Sequence, residues 1–278
     1  MEPVFSEPAL VVNLNKLIMR EITSKNNQIF KFFQKLESKK YRDRFGLYLI
    51  EGENLIEEAH KNGAEFQEIL VRMGAGDRFI KPWMDDEKVY LVEPKLFQEV
   101  AQTETSQGVI ASVKKPDLSL KDFENKKSSG NFVVLDRLQD PGNIGTIIRT
   151  ADAAGYELIV ALKGTADIFS PKVVRSATGS LFRMPIVFAE DNDELVEFAH
   201  KTGKKLVATC LDDSRFYYDE DLRENIALIV GNEGNGISQE LIDKSDVKIK
   251  IPMHGSIESL NASVAAAIIM YESVRKRG

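Results

Sequence analysis

An α/β protein in two parts, with a parallel sheet in the second, is the fold this sequence predicts, and three observations predict it. From residue 132 onward short apolar runs alternate with stretches of helical period, as in a parallel sheet covered by helices. A smaller set of strand and helix signals, about a hundred residues long, precedes that region. Between the two lies KKPDLSLKDFENKKSSGN, polar, charged and containing Ser-Ser-Gly near its end, which reads as a linker. The expected organisation is an N-terminal extension over 1–30, a small α/β domain over 31–114, a linker over 115–131 and the parallel-sheet domain over 132–278.

In the first part, residues 45–51 (FGLYLIE), 68–72, 88–92 and 108–113 read as strands. The patterns that begin at Asn54 (NLIEEAHKNG) and Pro94 (PKLFQEVAQ) read as short helices, because their apolar residues recur at helical spacing. In the second part, strands are expected at 132–135, 158–162, 185–188, 206–210, 226–230 and 247–251. Helices are expected from about Asn143, around 171–181, around 194–201 and from about Leu260.

Three segments of the second part stand out: LDRLQDPGNIGTIIRTADAAG at 135–155, LIVGNEGNGIS at 228–238 and IPMHGSIESLNASVAAAIIMY at 251–271. Each sets an apolar run directly against a turn of small or polar residues, which is how an α/β fold builds a site at the carboxyl ends of its strands. In the first, Pro141-Gly142-Asn143 makes a tight turn into a helix whose free N–H groups suit an anion or a polar backbone. Asn143 reads on sequence alone as the helix N-cap. Arg149 is read among the small and apolar residues Ile147, Ile148, Ala151, Ala153 and Ala154, either as a surface arginine or with a paired or substrate-facing role. In the second, GNEGNG lacks both the Lys-Ser/Thr of a P-loop and the spacing of a dinucleotide fingerprint, so a nucleotide triphosphatase is excluded. What remains is a glycine loop with Glu233 as its one charge, open to close main-chain approach.

Taken together and in this order, the three segments resemble the SpoU/TrmH family of S-adenosylmethionine-dependent RNA ribose 2'-O-methyltransferases, within the SPOUT superfamily. The first part, through runs such as GLYLIEGENLIEEA, resembles the ribosomal-protein-like RNA-binding domain that many members carry ahead of the catalytic one. The resemblance implies a trefoil knot in the C-terminal domain, S-adenosyl-L-methionine as cofactor, RNA as substrate and a homodimer formed through that domain. It implies that Asn143, Arg149, Glu233, Ser259 and Asn261 form the reacting centre, with Arg149 beside the ribose hydroxyl. It further implies cofactor contacts at Gly231, Ile251 and Leu260, largely through main chain, and Thr209 shares that strand-end rim. The leading domain points to large-subunit (23S) rRNA. A tRNA enzyme of the same fold and a catalytically silent RNA-binding or ribosome-assembly factor are the alternatives; the five intact polar site residues weigh against silence.

Arginine keeps its proton in proteins, so Arg149 is expected to stabilise negative charge on the ribose oxygen while a phosphate or water accepts the proton. A net charge of −6 argues mildly against nucleic-acid binding, but its distribution matters more. Lys16, Arg20, Lys25, Lys31, Lys35, Lys39, Lys40, Arg42 and Arg44 crowd one stretch with Phe30, Phe32, Phe33 and Tyr41 between them. The phenylalanines read as packing inward, and several of the lysines as an RNA-facing patch. The single cysteine, Cys210, reads as a small buried hydrophobe and excludes an internal disulfide, which fits a reducing cytoplasm. No signal peptide or membrane-spanning run is read in the sequence. His60, His200 and His254 are scattered without ligand spacing, so no metal site is expected.

Overall fold

The computed structural model describes residues 20–75, 88–126, 128–210 and 214–275. Lys16, one of the basic stretch, lies outside them. Arg20–Ile22 (β1), Gln28–Leu36 (α1), Lys39–Phe45 (α2), Leu47–Glu51 (β2), Glu53–Lys61 (α3), Phe66–Arg72 (β3), Val89–Val92 (β4), Pro94–Val100 (α4) and Val109–Lys114 (β5) build the first half. Its sheet runs β1-β4-β3-β5-β2, with β5 antiparallel to both neighbours and the remaining pairs parallel. Helix α1 forms because Phe30, Phe33 and Leu36, three residues apart, give it one apolar stripe, fully buried against this sheet. Sequence pattern places Phe45 in a strand; instead it ends α2, and Gly46 turns the chain at φ 64° into β2.

The second half contains Lys121–Glu124 (α5), Phe132–Asp136 (β6), Pro141–Ala153 (α6), Leu158–Leu162 (β7), Pro171–Ala177 (α7), Ser180–Arg183 (α8) and Ile186–Ala189 (β8). Asn192–Lys201 (α9), Lys205–Thr209 (β9), Arg215–Phe216 (β10), Ile226–Gly231 (β11), Gln239–Asp243 (α10), Val247–Lys250 (β12) and Ala262–Ser273 (α11) follow. The sheet order is β10-β12-β9-β11-β6-β7-β8, and all its ladders are parallel, as the alternation predicts. Strands β6 and β7 are buried at every position, so they read as unbroken apolar runs. The helix expected around 171–181 is instead two, α7 and α8, broken at Thr178, whose φ of 53° no α-helix accommodates. Within 115–131, Phe123 of α5 and Leu120 just ahead of it are buried in the core cluster that holds Phe132 and Phe198.

The two sheets are joined by packing. One apolar cluster runs from Tyr48 and Ile50 of β2 to Phe169 ahead of α7, with the Tyr48 and Phe169 rings 4.9 Å apart. Arg42, read in the sequence as part of the basic stretch, is 4% exposed. Its guanidinium donates to Leu36 O, Glu37 O and Asp167 Oδ2 at 2.7, 2.6 and 2.6 Å, tying α2 to the second half. Removing one partner of a buried pair strands a charge, so Asp167→Ala is expected to destabilise the fold by about 3 kcal/mol, read as a lowered midpoint in urea. Among the described residues no helix is long and apolar enough to cross a membrane.

Candidate functional site

Parallel strands end on one edge of the second sheet, and there the three sequence segments meet. Strand β6 delivers Asp136, β9 Thr209, β11 Gly231, and β12 the adjoining Ile251. Helix α6 starts beyond β6 with Pro141 at its first turn, and its cap is Asp140, whose Oδ1 accepts from Asn143 N at 2.9 Å. Asn143 is therefore not the N-cap that its sequence reads as. This frees its side chain, 7% exposed, for longer-range bonds.

Asn143 Nδ2 donates to Glu233 Oε1 at 3.0 Å, and Asn143 Oδ1 accepts from Asn261 Nδ2 at 2.9 Å. Glu233 also accepts from the main-chain N–H groups of Asp140 and Gln139, each at 3.0 Å. Asn261 in turn caps α11, its Oδ1 accepting from Ser263 N, Ser263 Oγ and Val264 N at 2.9, 2.7 and 3.3 Å. One hydrogen-bond chain, Glu233–Asn143–Asn261, thus threads one residue from each segment through bonds that span 90 and 118 residues of sequence. Partial burial raises the Glu233 carboxyl, but the hydrogen bonds from Gln139, Asn143 and Asp140 outweigh it and hold it below the ordinary glutamate value. A depressed folded-state value stabilises above the unfolded one and is lost as pH falls through the folded one. The loop-to-helix link should therefore be intact from neutral pH down to the ordinary glutamate range and fail only below it, seen as a fall in melting temperature that Glu233→Ala no longer shows.

The GNEGNG turn is built from its own polar groups. Asn232 Oδ1 accepts from Gly234 N and Asn235 N, both at 3.0 Å, and Asn232 pairs with Gly236 main chain to main chain. Gly231 has no room for a side chain, because a Cβ there would collide with the backbone of Gly236 and Ile237. Below the turn, Asp136, 1% exposed, accepts from Arg137 Nε at 2.7 Å and from Ser238 N at 3.1 Å, so β6 and the far end of the turn are pinned together.

Asn143, Glu233 and Asn261 are thus in direct contact. Thr209, Gly231, Ile251 and Leu260 are half-buried along the same edge, while Ser259 is exposed in the loop before Asn261. Arg149 does not lie on the apolar face of its helix. Ile144, Ile147, Ile148 and Ala151 form the buried stripe at helical spacing, and Arg149, one residue off it, is exposed on the outer side with Thr146 and Ala153. Among the described residues it makes no hydrogen bond or ion pair. Sequence reasoning did not single out Asp140, Gln139 or Asn232 for the site; Asp140 had a signal, an N-cap residue directly ahead of a proline.

Residues 130–271 match the model of the SpoU rRNA Methylase family, and residues 26–111 match that of the MRM3-like substrate binding domain. The chain belongs to the SpoU rRNA methylase family. Among curated relatives, it is 39% identical over 253 residues to the 23S rRNA (guanosine(2553)-2'-O)-methyltransferase RlmP of Bacillus subtilis, covering 91% of this chain and 98% of that protein. Among solved structures, the AdoMet-bound rRNA methyltransferase from Sinorhizobium meliloti is 31% identical with a TM-score of 0.83, over 92% of this chain and 97% of the other. The SpoU methyltransferase AviRb from Streptomyces viridochromogenes, in complex with the cofactor AdoMet, is 31% identical with a TM-score of 0.78, over 89% and 97%.

Proposed function

We propose that this chain transfers a methyl group from S-adenosyl-L-methionine to a ribose 2'-hydroxyl of 23S rRNA. The observation that carries the reading is the Glu233–Asn143–Asn261 hydrogen-bond chain, which locks together the strand-end turns of a SpoU-family domain. The fit to the cofactor rests on the donor set. Ile251 and Leu260 offer half-buried apolar cover for a purine, Gly231 and Thr209 offer main chain beside them, and Glu233 is held in place by three N–H donors. The cofactor supplies a methyl already activated on a sulfonium, so the protein has to orient the ribose oxygen and steady it as its proton leaves.

Arg149 takes the second task. Its exposed guanidinium, free of carboxylate partners among the described residues, presents fixed N–H donors to the developing negative charge on the ribose oxygen, and a phosphate or water takes the proton. Ser259, exposed in the loop ahead of Asn261, orients the ribose. Residues 31–114 hold the RNA. There Lys35, Lys39, Lys40 and Arg44 are exposed without ion pairs among the described residues, Lys35 and Lys40 flank the Tyr41 ring at 5.8 and 5.9 Å, and Phe45 stacks on Tyr41.

The chain works as a cytoplasmic homodimer through the second half. Supporting this, α11 and its C-cap residue present an apolar outer stripe, with Val264, Tyr271 and Val274 at 48%, 52% and 45% exposure, a face that water covers poorly. The placement of β11 between β9 and β6, and the return of α11 onto α6, fit the knotted crossing of the family. Incubation with methyl-labelled cofactor and ribosomal RNA from cells lacking this protein tests the activity: label is expected in a 2'-O-methylnucleoside after digestion, and label in a base, or none, contradicts it.

A further inference from the structure

A cleft of about 570 Å³ opens between the two halves, away from the strand-end turns and within the ~300–1,000 Å³ range of ligand sites. One wall comes from the start of α3 and the 103–107 loop of the first half, the other from α7 and α8 of the second. Its charges are mostly committed. Arg183 donates to Asp152 and Glu58, and Glu51 accepts from Gln102 N and Thr103 Oγ1 at 2.7 and 2.8 Å. Arg175 differs, being exposed and without an ion pair among the described residues. Opposite it, the exposed side chains of Asn54 and Thr105 line the same cleft and make no hydrogen bond among the described residues. Among the described residues the cleft therefore offers Arg175 as an unpaired cation, with neutral donors and acceptors opposite it.

The wall itself is strained. Thr178, where α7 breaks, sits at φ 53° and ψ −144°, a region that is almost wholly glycine's and that strains a β-branched residue. Such strain persists where the fold fixes a wall in place. That wall also runs alongside the helix bearing Asn143 and Arg149: Ser176 Oγ donates to Gly142 O at 3.2 Å, and Ser180 Oγ to Asp152 Oδ2 at 2.7 Å, one turn beyond Arg149. Asp152, three residues on from Arg149 in α6, also accepts from Arg183 Nε of the cleft wall at 2.9 Å, so one helix links Arg149 to the cleft.

Resting on the reading above, we infer that the cleft holds an unpaired RNA nucleotide flanking the methylated one, its phosphate on Arg175 and its base edge against Asn54 and Thr105. Neutral amide and hydroxyl groups read the edges of splayed bases, and a lone arginine suits a single phosphate.

Filter binding of the full chain to deproteinised ribosomal RNA and to large-subunit precursor particles, both from cells lacking this protein, tests it across a salt series. Arg175→Ala is expected to weaken binding about tenfold and lower the salt slope by about 1, and Arg175→Lys to restore the slope. Asn54→Ala should weaken binding with the slope unchanged. Affinity for S-adenosylmethionine, by calorimetry, should stay as in the unaltered chain for all of them. Unaltered RNA binding in Arg175→Ala and Asn54→Ala, binding of free nucleoside monophosphates at the cleft as tight as that of RNA, or no RNA binding by the unaltered chain would each overturn the assignment. If the cleft variants lose RNA binding while no methyl transfer is found, the cleft stands and the activity falls.

Discussion

Arg149→Ala is expected to lower kcat for methyl transfer to ribosomal RNA by about 10²- to 10³-fold while leaving cofactor affinity within about twofold. The side chain is exposed and unpaired among the described residues, so its removal opens no cavity and strands no partner. What it removes is a donor that acts only as charge develops on the ribose oxygen, and loss of an interaction confined to the transition state appears in kcat rather than in ground-state binding. Arg149→Lys tests whether charge stabilisation is the role of this side chain. Lysine restores positive charge and a donor, so part of the rate should return with the pH profile little changed. A variant alanine enzyme with full activity would remove Arg149 from the reaction.

Glu233→Ala is expected to reduce kcat/KM by about 10²-fold and to weaken cofactor binding as well, because it releases the turn that carries Gly231 from the start of α6. Its two oxygens accept three N–H groups: Oε1 from Asp140 N and Asn143 Nδ2, Oε2 from Gln139 N. Glu233→Gln should be no rescue, since an amide turns an NH₂ toward one of those donors. A double-mutant cycle with Asn143→Ala gives the sharper result. Residues in one network couple by about 0.5–3 kcal/mol, so the double variant should be little worse than either single one. Strict additivity would mean that Glu233 and Asn143 act separately.

Much of this architecture is legible in the sequence because burial writes it there. Strands covered on both faces, such as β6 and β7, must be apolar throughout, and their alternation with helical stretches gives the parallel sheet. Short elements leave no such mark. Strands β1 and β10 have three and two residues, too few for any period, and α10 has five. The break at Thr178 was hidden because threonine carries no signal for a positive φ. The convergence of Asn143, Glu233 and Asn261 could be reached only through family resemblance, since hydrogen bonds across 90 and 118 residues have no periodicity. Arg149 was misplaced by one helical step: counting small neighbours in sequence put it among Ile147 and Ile148, whereas a 100° turn per residue carries it to the other side. Arg42 shows the opposite error, a cation in a basic run that serves the core.

The account turns on the three strand-end segments acting as a single binding surface for the methyl donor, and amide hydrogen exchange with and without S-adenosylmethionine tests that most directly. Added cofactor should slow exchange together over 136–143, 228–238 and 251–264, and Glu233→Ala should abolish the effect in all three at once. Slowing in one segment alone, or elsewhere in the chain with these three unaffected, would contradict it.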